Sequence, residues 1–268
     1  MATIAPPIQP PATLAASTLG IAKRGLLKYL RTPQLVVLGT VQGALFLLIF
    51  RYVFGGAIGA GGLDYVDFLV PGFITTGILF SGMGAAAGIA EDLQQGLVDR
   101  LRSLPIPRSA VLAGRALADT AVLTWGLLIT AAIGFAVGFR LHGSPTDALA
   151  ALGLLVVFGF AFEWLFLTLG LFGGTPQAAQ GLALLVFPLT FVSSAHVPVE
   201  TMPSWMQGFA EHQPITVMVD AVRVLTQGPA AEAMLGHGAG FYVVRSLAWS
   251  AAILAVFVPL AVARYRRG

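Results

Sequence analysis

Residues 148–172 read ALAALGLLVVFGFAFEWLFLTLGLF, twenty-five positions with one ionisable side chain, Glu163. As a helix this run is about 37 Å long at 1.5 Å per residue. That exceeds the hydrocarbon core of a bilayer, about 30 Å, so the run is long enough to cross it. Apolar runs of similar length recur at about 34–54, 66–90, 110–139, 177–195 and 241–263. The whole chain agrees with this reading: 57% of its 268 residues are hydrophobic and 10% are charged, and the mean hydropathy is +0.85, far from a soluble domain. The expected fold is an all-α membrane protein with six transmembrane helices. The first run starts well after the N-terminus and is too long for a signal-peptide core, so no cleaved targeting segment is expected.

The positive charge orients the chain. The net charge of +3 would suit nucleic acid, but the cations cluster at particular ends of the apolar runs, so no nucleic-acid partner is expected. With the N-terminus in the cytosol, Lys23, Arg24, Lys28, Arg31, Arg100, Arg102, Arg108, Arg115, Arg264, Arg266 and Arg267 lie inside. Arg51, Arg140, Arg223 and Arg245 remain outside, which satisfies the positive-inside rule and puts both termini in the cytoplasm.

Between the spans, four segments stand out. Residues 1–12 carry Pro6, Pro7, Pro10 and Pro11 and read as a flexible tail, leaving 13–268 as one transmembrane domain. An amphipathic helix follows, with Leu19, Leu26 and Leu30 on one face and Arg24, Lys28 and Arg31 on the other, suited to the inner membrane surface. The stretch EDLQQGLVDRLRSLPIPR, Glu91 to Arg108, is a charged interruption between spans two and three. Its Leu93, Leu97, Leu101 and Leu104 share a helical face, Gln95, Asp99 and Arg102 fill the other, and Pro105 and Pro107 forbid continuation. Such a helix, about 91–104, fits either a groove in a soluble partner or the lipid surface. After span five, 201–212 and 215–227 are too short to cross and read as two re-entrant outer helices. Asp220 and Arg223, three apart, can pair on their polar side.

Catalytic motifs are missing. The phosphate-binding loop of nucleotide-binding proteins ends in Gly-Lys-Ser/Thr, whereas Lys23 and Lys28 do not follow a glycine, so the chain does not bind ATP in that way. There is no His pair at i, i+4 for zinc, no Gly-x-Ser-x-Gly elbow and no cysteine. An intramembrane hydrolase is a reading without a supporting motif. Among polar groups inside spans, Arg115 and Asp119 can offset each other at i, i+4. Gln42 lies within the first span. Glu163 has no such neighbour in its own span, which leaves three readings: protonated, bonded to another helix, or facing a path for a cationic substrate.

EDLQQGLVDRLRSLPIPRSAVLAGRALAD, Glu91 to Asp119, and FPLTFVSSAHVPVETMPSWMQGFAEHQPITVMVDAVRVLTQG, Phe187 to Gly228, together resemble the bacterial ABC-2 type transporter permeases, and within them the daunorubicin-resistance subgroup. The resemblance implies a multi-pass subunit of the bacterial cytoplasmic membrane that forms a homodimer, pairs with two copies of a separate ATPase carrying ATP and Mg²⁺, and exports hydrophobic drugs or lipids. No cofactor is implied on this chain. Export of polysaccharide is the alternative within the family. By resemblance, Glu91, Asp92, Gln95, Leu97, Arg100, Leu101, Arg102 and Arg108 belong to the coupling segment that docks on the ATPase, and the helix with Arg24, Lys28 and Arg31 also touches it. Spans one, two and five line the dimer interface in that family, which makes Gln42, Phe46, Phe73, Thr76, Phe80, Phe187 and Phe191 candidate pathway residues beside Glu163.

Overall fold

The computed structural model describes residues 13–55, 62–97, 100 and 106–267; within them, the side chains of residues 33, 35–40, 42 and 267 are not described. All regular secondary structure among the described residues is helical.

Helix α1, Leu14–Arg31, is opened by the Thr13 side chain and closed at Thr32. Pro33 then starts α2, Pro33–Ile49, where its fixed φ and missing N–H suit a first helical turn. A π-helical turn, Phe50–Phe54, continues α2. Helix α3, Tyr65–Gln94, runs through Pro71, and α4 is Arg108–Ala136. Helix α5, Pro145–Gly173, begins with a Ser144–Asp147 capping box and ends on left-handed Gly174. Helices α3, α4, α5 and α11 (Ala239–Arg267) are each long and apolar enough to cross a membrane, with Gly43–Phe54 a shorter apolar helical stretch.

The apolar run expected as a single span over 177–195 is broken. It comprises α6, Pro176–Leu184, and α7, Pro188–Phe191, and between them Leu185, Val186 and Phe187 donate to carbonyls three residues back. Pro188 is the cause: it has no amide to offer Leu184, and its ring crowds that carbonyl, so the backbone tightens before it.

The segment between α7 and α11 folds as a 3₁₀ turn (Val199–Thr201), α8 (Ser204–His212), α9 (Pro214–Gln227) and α10 (Pro229–Leu235). Helix α9 is buried along almost its whole length, packed between α3, α5 and α11. One core joins α3, α5 and α9 through Phe68, Phe158, Phe162, Met218 and Val222.

Helix α1 lies against α4 through its small-residue side. A Cβ on Gly114 would meet the Thr18 carbonyl at 2.6 Å and Ile21 at 2.8 Å, so glycine lets the backbones approach. Leu19 and Leu30 of the expected membrane-facing stripe are 65% and 75% exposed. The helix therefore packs on protein with one face and leaves Leu19 and Leu30 outward, with Leu26 half-buried.

Candidate functional site

Three constellations collect the residues singled out in the sequence. The first is at the base of the bundle, beside the loop that joins α3 to α4. Asp92 is only 9% exposed, pointing inward from the last turn of α3, where the Arg115 side chain of α4 meets its carboxylate and Lys28 of α1 stands at 3.7 Å. Arg115 also pairs with Asp119 at 3.3 Å, and the Tyr29 hydroxyl donates to Asp119 at 2.9 Å. Arg115 has room because residue 88 is glycine: a Cβ there would collide with its guanidinium. Three helices are thus joined by two cations, two carboxylates and a phenol. Lys28 is exposed at the edge of the group, whereas Arg115, Asp92 and Asp119 are largely buried, and charges paired in this way are tolerated where a lone one is not.

This geometry adds a second contact to Asp92, which the resemblance put in the coupling segment with Glu91 and Gln95. Glu91 and Gln95 are exposed and bond to each other at 3.0 Å; Asp92 is a strut between helices. Nor does a separate helix begin at Glu91. Residues 91–94 are the last turn of α3, and Gly96 ends it with φ +66°, a conformation that costs glycine little. Helical backbone resumes at Leu97, which is half-buried, and at Arg100, whose amide donates to the Gly96 carbonyl. Leu101 and Arg102 lie outside the described residues. Arg108 opens α4 and donates to the Arg266 carbonyl at 3.2 Å, tying this loop to the end of α11. Arg24 and Arg31 are exposed on α1.

Glu163 is 1% exposed, and neither carboxyl oxygen has a partner of hydrogen-bond geometry among the described residues. It lies in the field of Asp119 and Arg115, next to the Ser81 hydroxyl. The apparent lack of a neighbour along its own span is therefore corrected by α4, whose pair sits within electrostatic reach.

The second constellation is an aromatic row. Phe46 stacks with Phe80 at 6.3 Å, Phe80 meets Phe187 at 5.0 Å, and Phe187 meets Phe191 at 5.4 Å. The His196 ring continues it, 6.3 Å from Phe191, 4.9 Å from Phe73 and 5.1 Å from Phe50. Residues from α2, α3 and the α6–α7 region thus form one seam, with Phe46, Phe80 and Phe191 exposed along it. Phe73 is at its buried end. Thr76 is not in the row: it is buried and bonds to the Phe73 carbonyl of its own helix. The Gln42 side chain lies outside the described residues. The sequence reading missed Phe50 and His196, because nothing in the spacing of a π turn or of a loop histidine announces a shared stack.

The third constellation closes the other end of the bundle. Arg223 of α9 is fully buried, with 2.7 Å to Asp220, 3.0 Å to the Phe68 carbonyl and 2.9 Å to the Ser194 carbonyl. Its guanidinium sits 4.0 Å from the Phe68 ring centroid, and the Ser194 hydroxyl donates to Asp220 at 2.7 Å. Asp220 and Arg223 do pair, but toward the core rather than on a wet polar face. The Ser193 hydroxyl donates to the Thr190 carbonyl at 2.6 Å. With both serines so committed and His196 among phenyl rings, they form no Ser–His couple among the described residues.

A family model described as ABC-2 type transporter matches residues 17–226. The daunorubicin resistance ABC transporter permease protein DrrB1 of Streptomyces coeruleorubidus is 32% identical over 257 residues, which are 95% of this chain and 88% of that protein. The probable doxorubicin resistance ABC transporter permease protein DrrC of Mycobacterium tuberculosis is 28% identical over 94% of this chain and 89% of its own length. The probable multidrug ABC transporter permease YbhR of Escherichia coli is 27% identical over 60% of this chain and 44% of its own.

Proposed function

We propose, from the premise that this chain belongs to the ABC-2 type transporter family, that it is the membrane permease subunit of an ATP-driven exporter of hydrophobic or amphipathic compounds. The permease is not catalytic by itself; ATP and Mg²⁺ belong to a separate ATPase chain. Two permease copies and two ATPase copies make the working unit, in a bacterial cytoplasmic membrane. The topology we propose has six crossings, with α2 and its π turn as the first, α3, α4 and α5 as the next three, the broken α6–α7 as the fifth and α11 as the last. Both termini are cytoplasmic, and α8 and α9 re-enter from outside.

The observation that carries this reading is the course of α3. One helix bears Asp92 at the base, four residues before the Gly96 break, and Phe68 at the other end, where its carbonyl holds Arg223. Twenty-four residues separate the two, about 36 Å of helix. A force applied to the segment after Gly96 reaches α1 and α4 through the ionic strut and reaches α9 through the same rod. For ATP to do work here, the partner must contact the two states of the permease with different affinity. The loop after α3 is where that contact falls in this reading, and the exposed phenyl rings of α2, α3 and α7 face the second permease and the path between the copies.

The test is co-expression and co-purification with a candidate ABC ATPase from the same genome, followed by ATPase stimulation by drugs and lipids in nanodiscs. The expected result is a stable complex whose hydrolysis rises with substrate, while Leu97→Asp inserts normally and loses the complex. A Leu97→Asp variant that assembles like the parent chain would refute the docking site. Absence of any ATPase partner would refute the exporter.

A further inference from the structure

Behind Arg223, the outer end of the molecule holds an open cleft of about 1290 Å³ between the 194–200 segment, the end of α8, α9, α10 and the first turns of α11. On its floor the charges of Arg223 and Asp220 offset each other as a pair, while Arg223 Nε has no hydrogen-bond partner among the described residues. Its rim is charged. Glu200, Glu211 and Arg245 line it together with His212 and His237, and no ion pair among the described residues uses any of the three charges. Glu211 and Arg245 both lie in the electrostatic reach of the Tyr242 hydroxyl, so opposite charges face one opening. Arg245 rests over the Phe241 ring at 4.9 Å.

From this cleft an exposed apolar track descends α11. Phe241, Val244, Leu247, Val256 and Leu260 are all exposed, and Ala248, Ala251, Ala252 and Ala255 between them are exposed as well, leaving a shallow trough flanked by larger side chains. From Val244 to Val256 the track runs about 18 Å at 1.5 Å per residue, close to the depth of one leaflet, half of about 30 Å.

We propose that the cleft and track form a binding site for a single zwitterionic phospholipid of the outer leaflet. Its ammonium lies against Glu200 and Glu211, its phosphate against Arg245, and one acyl chain lies along α11. Charge complementarity selects this occupant. Two carboxylates alone would call for an organic cation, but a guanidinium at the same mouth repels one and attracts a phosphodiester. The continuous trough supplies a place for the tail that a compact water-soluble zwitterion would leave empty. The site is on the side of α11 and α9, apart from the aromatic seam of α2, α3 and α7; the inference rests on the proposed topology for its leaflet and not on the transport reading.

Native mass spectrometry of the purified full chain in detergent, titrated with phosphatidylethanolamine or phosphatidylglycerol of the same acyl chains, tests it. The expected result is one tightly held phosphatidylethanolamine, bound at least about fivefold more tightly than phosphatidylglycerol. Arg245→Gln and the pair Glu200→Gln with Glu211→Gln should each weaken it by a similar factor, and Arg51→Gln should not. Equal binding of both lipids, or no change in either rim variant, would mean annular lipid only and overturn the site. Displacement by a phosphate-free cationic amphiphile that is insensitive to Arg245→Gln would assign the cleft to organic cations and overturn it equally.

Discussion

Replacing Arg223 by methionine keeps the length and apolar stem of the side chain but removes the charge that α9 carries into the core. Three groups then lose a partner at once: the Asp220 carboxylate at 2.7 Å, the Phe68 carbonyl at 3.0 Å and the Ser194 carbonyl at 2.9 Å. In the parent chain these groups are shielded, Arg223 being fully buried and Asp220 5% exposed, although the cleft above them is open. Removing one member of a buried pair costs roughly 3–5 kcal/mol, mostly as the penalty of the stranded charge. The stranded carbonyls add to that, because a buried acceptor without a donor is destabilising by about 1–3 kcal/mol. A loss of about 4 kcal/mol or more is expected for Arg223→Met. If the stranded carboxylate is the main cause, Asp220→Asn in the same chain should restore about half, since a neutral amide can stay with Ser194. The assay is reversible unfolding of the detergent-solubilised protein in increasing SDS, followed by tryptophan fluorescence, on the parent, both single variants and the double variant. A loss below about 1 kcal/mol for Arg223→Met, or a double variant as unstable as the sum of the singles, would refute the clamp. The measured quantity is the coupling between the two sites, which additivity would set to zero.

At the base, Gly88→Val should push the Arg115 guanidinium off Asp92; reduced stability and weaker ATPase stimulation are expected, with insertion into membranes unchanged, and full activity of this variant would show the strut to be dispensable. Asp92→Asn should lower stability by about 1–3 kcal/mol, the range for breaking a charged, partly buried hydrogen bond, whereas Glu91→Gln, with its carboxylate in water, should change it by less than about 0.5 kcal/mol. Equal effects of the two in an SDS titration would contradict the inward placement of Asp92. Glu163→Gln should leave folding intact, and a selective loss of transport for cationic compounds is the outcome that would give this carboxyl a substrate role; unchanged transport removes it. Single cysteines at 205 and 209 should react with membrane-impermeant maleimide from outside whole cells and one at 95 should not, and labelling in the opposite sense would reverse the proposed topology.

The membrane class, the helical fold and the positions of the long helices were legible in the chain because each depends on local composition: about 20 apolar residues in a row admit few alternatives in a bilayer. The end of α1 at Thr32-Pro33 was legible for the same kind of reason, as was the pairing of Arg115 with Asp119, since one helical turn brings i and i+4 together. The direction in which a side chain points was not. Leu19 and Leu30 read as a membrane-facing stripe and are exposed, but that α1 would use its small residues to reach α4 was in no local pattern. Asp92 was placed only in the coupling segment by resemblance, and its inward direction depends on Arg115 and Lys28 on other helices. Asp220 and Arg223 were recognisable as a pair from their spacing, yet their burial depends on the Phe68 and Ser194 carbonyls, 155 and 29 residues from Arg223 in the chain. Sequence by itself therefore determined the long apolar helices α3, α4, α5 and α11, each of membrane-spanning length. The tertiary structure decided which polar groups are struts and which remain free for a partner, because the energy of a buried charge is set by neighbours that no local pattern contains.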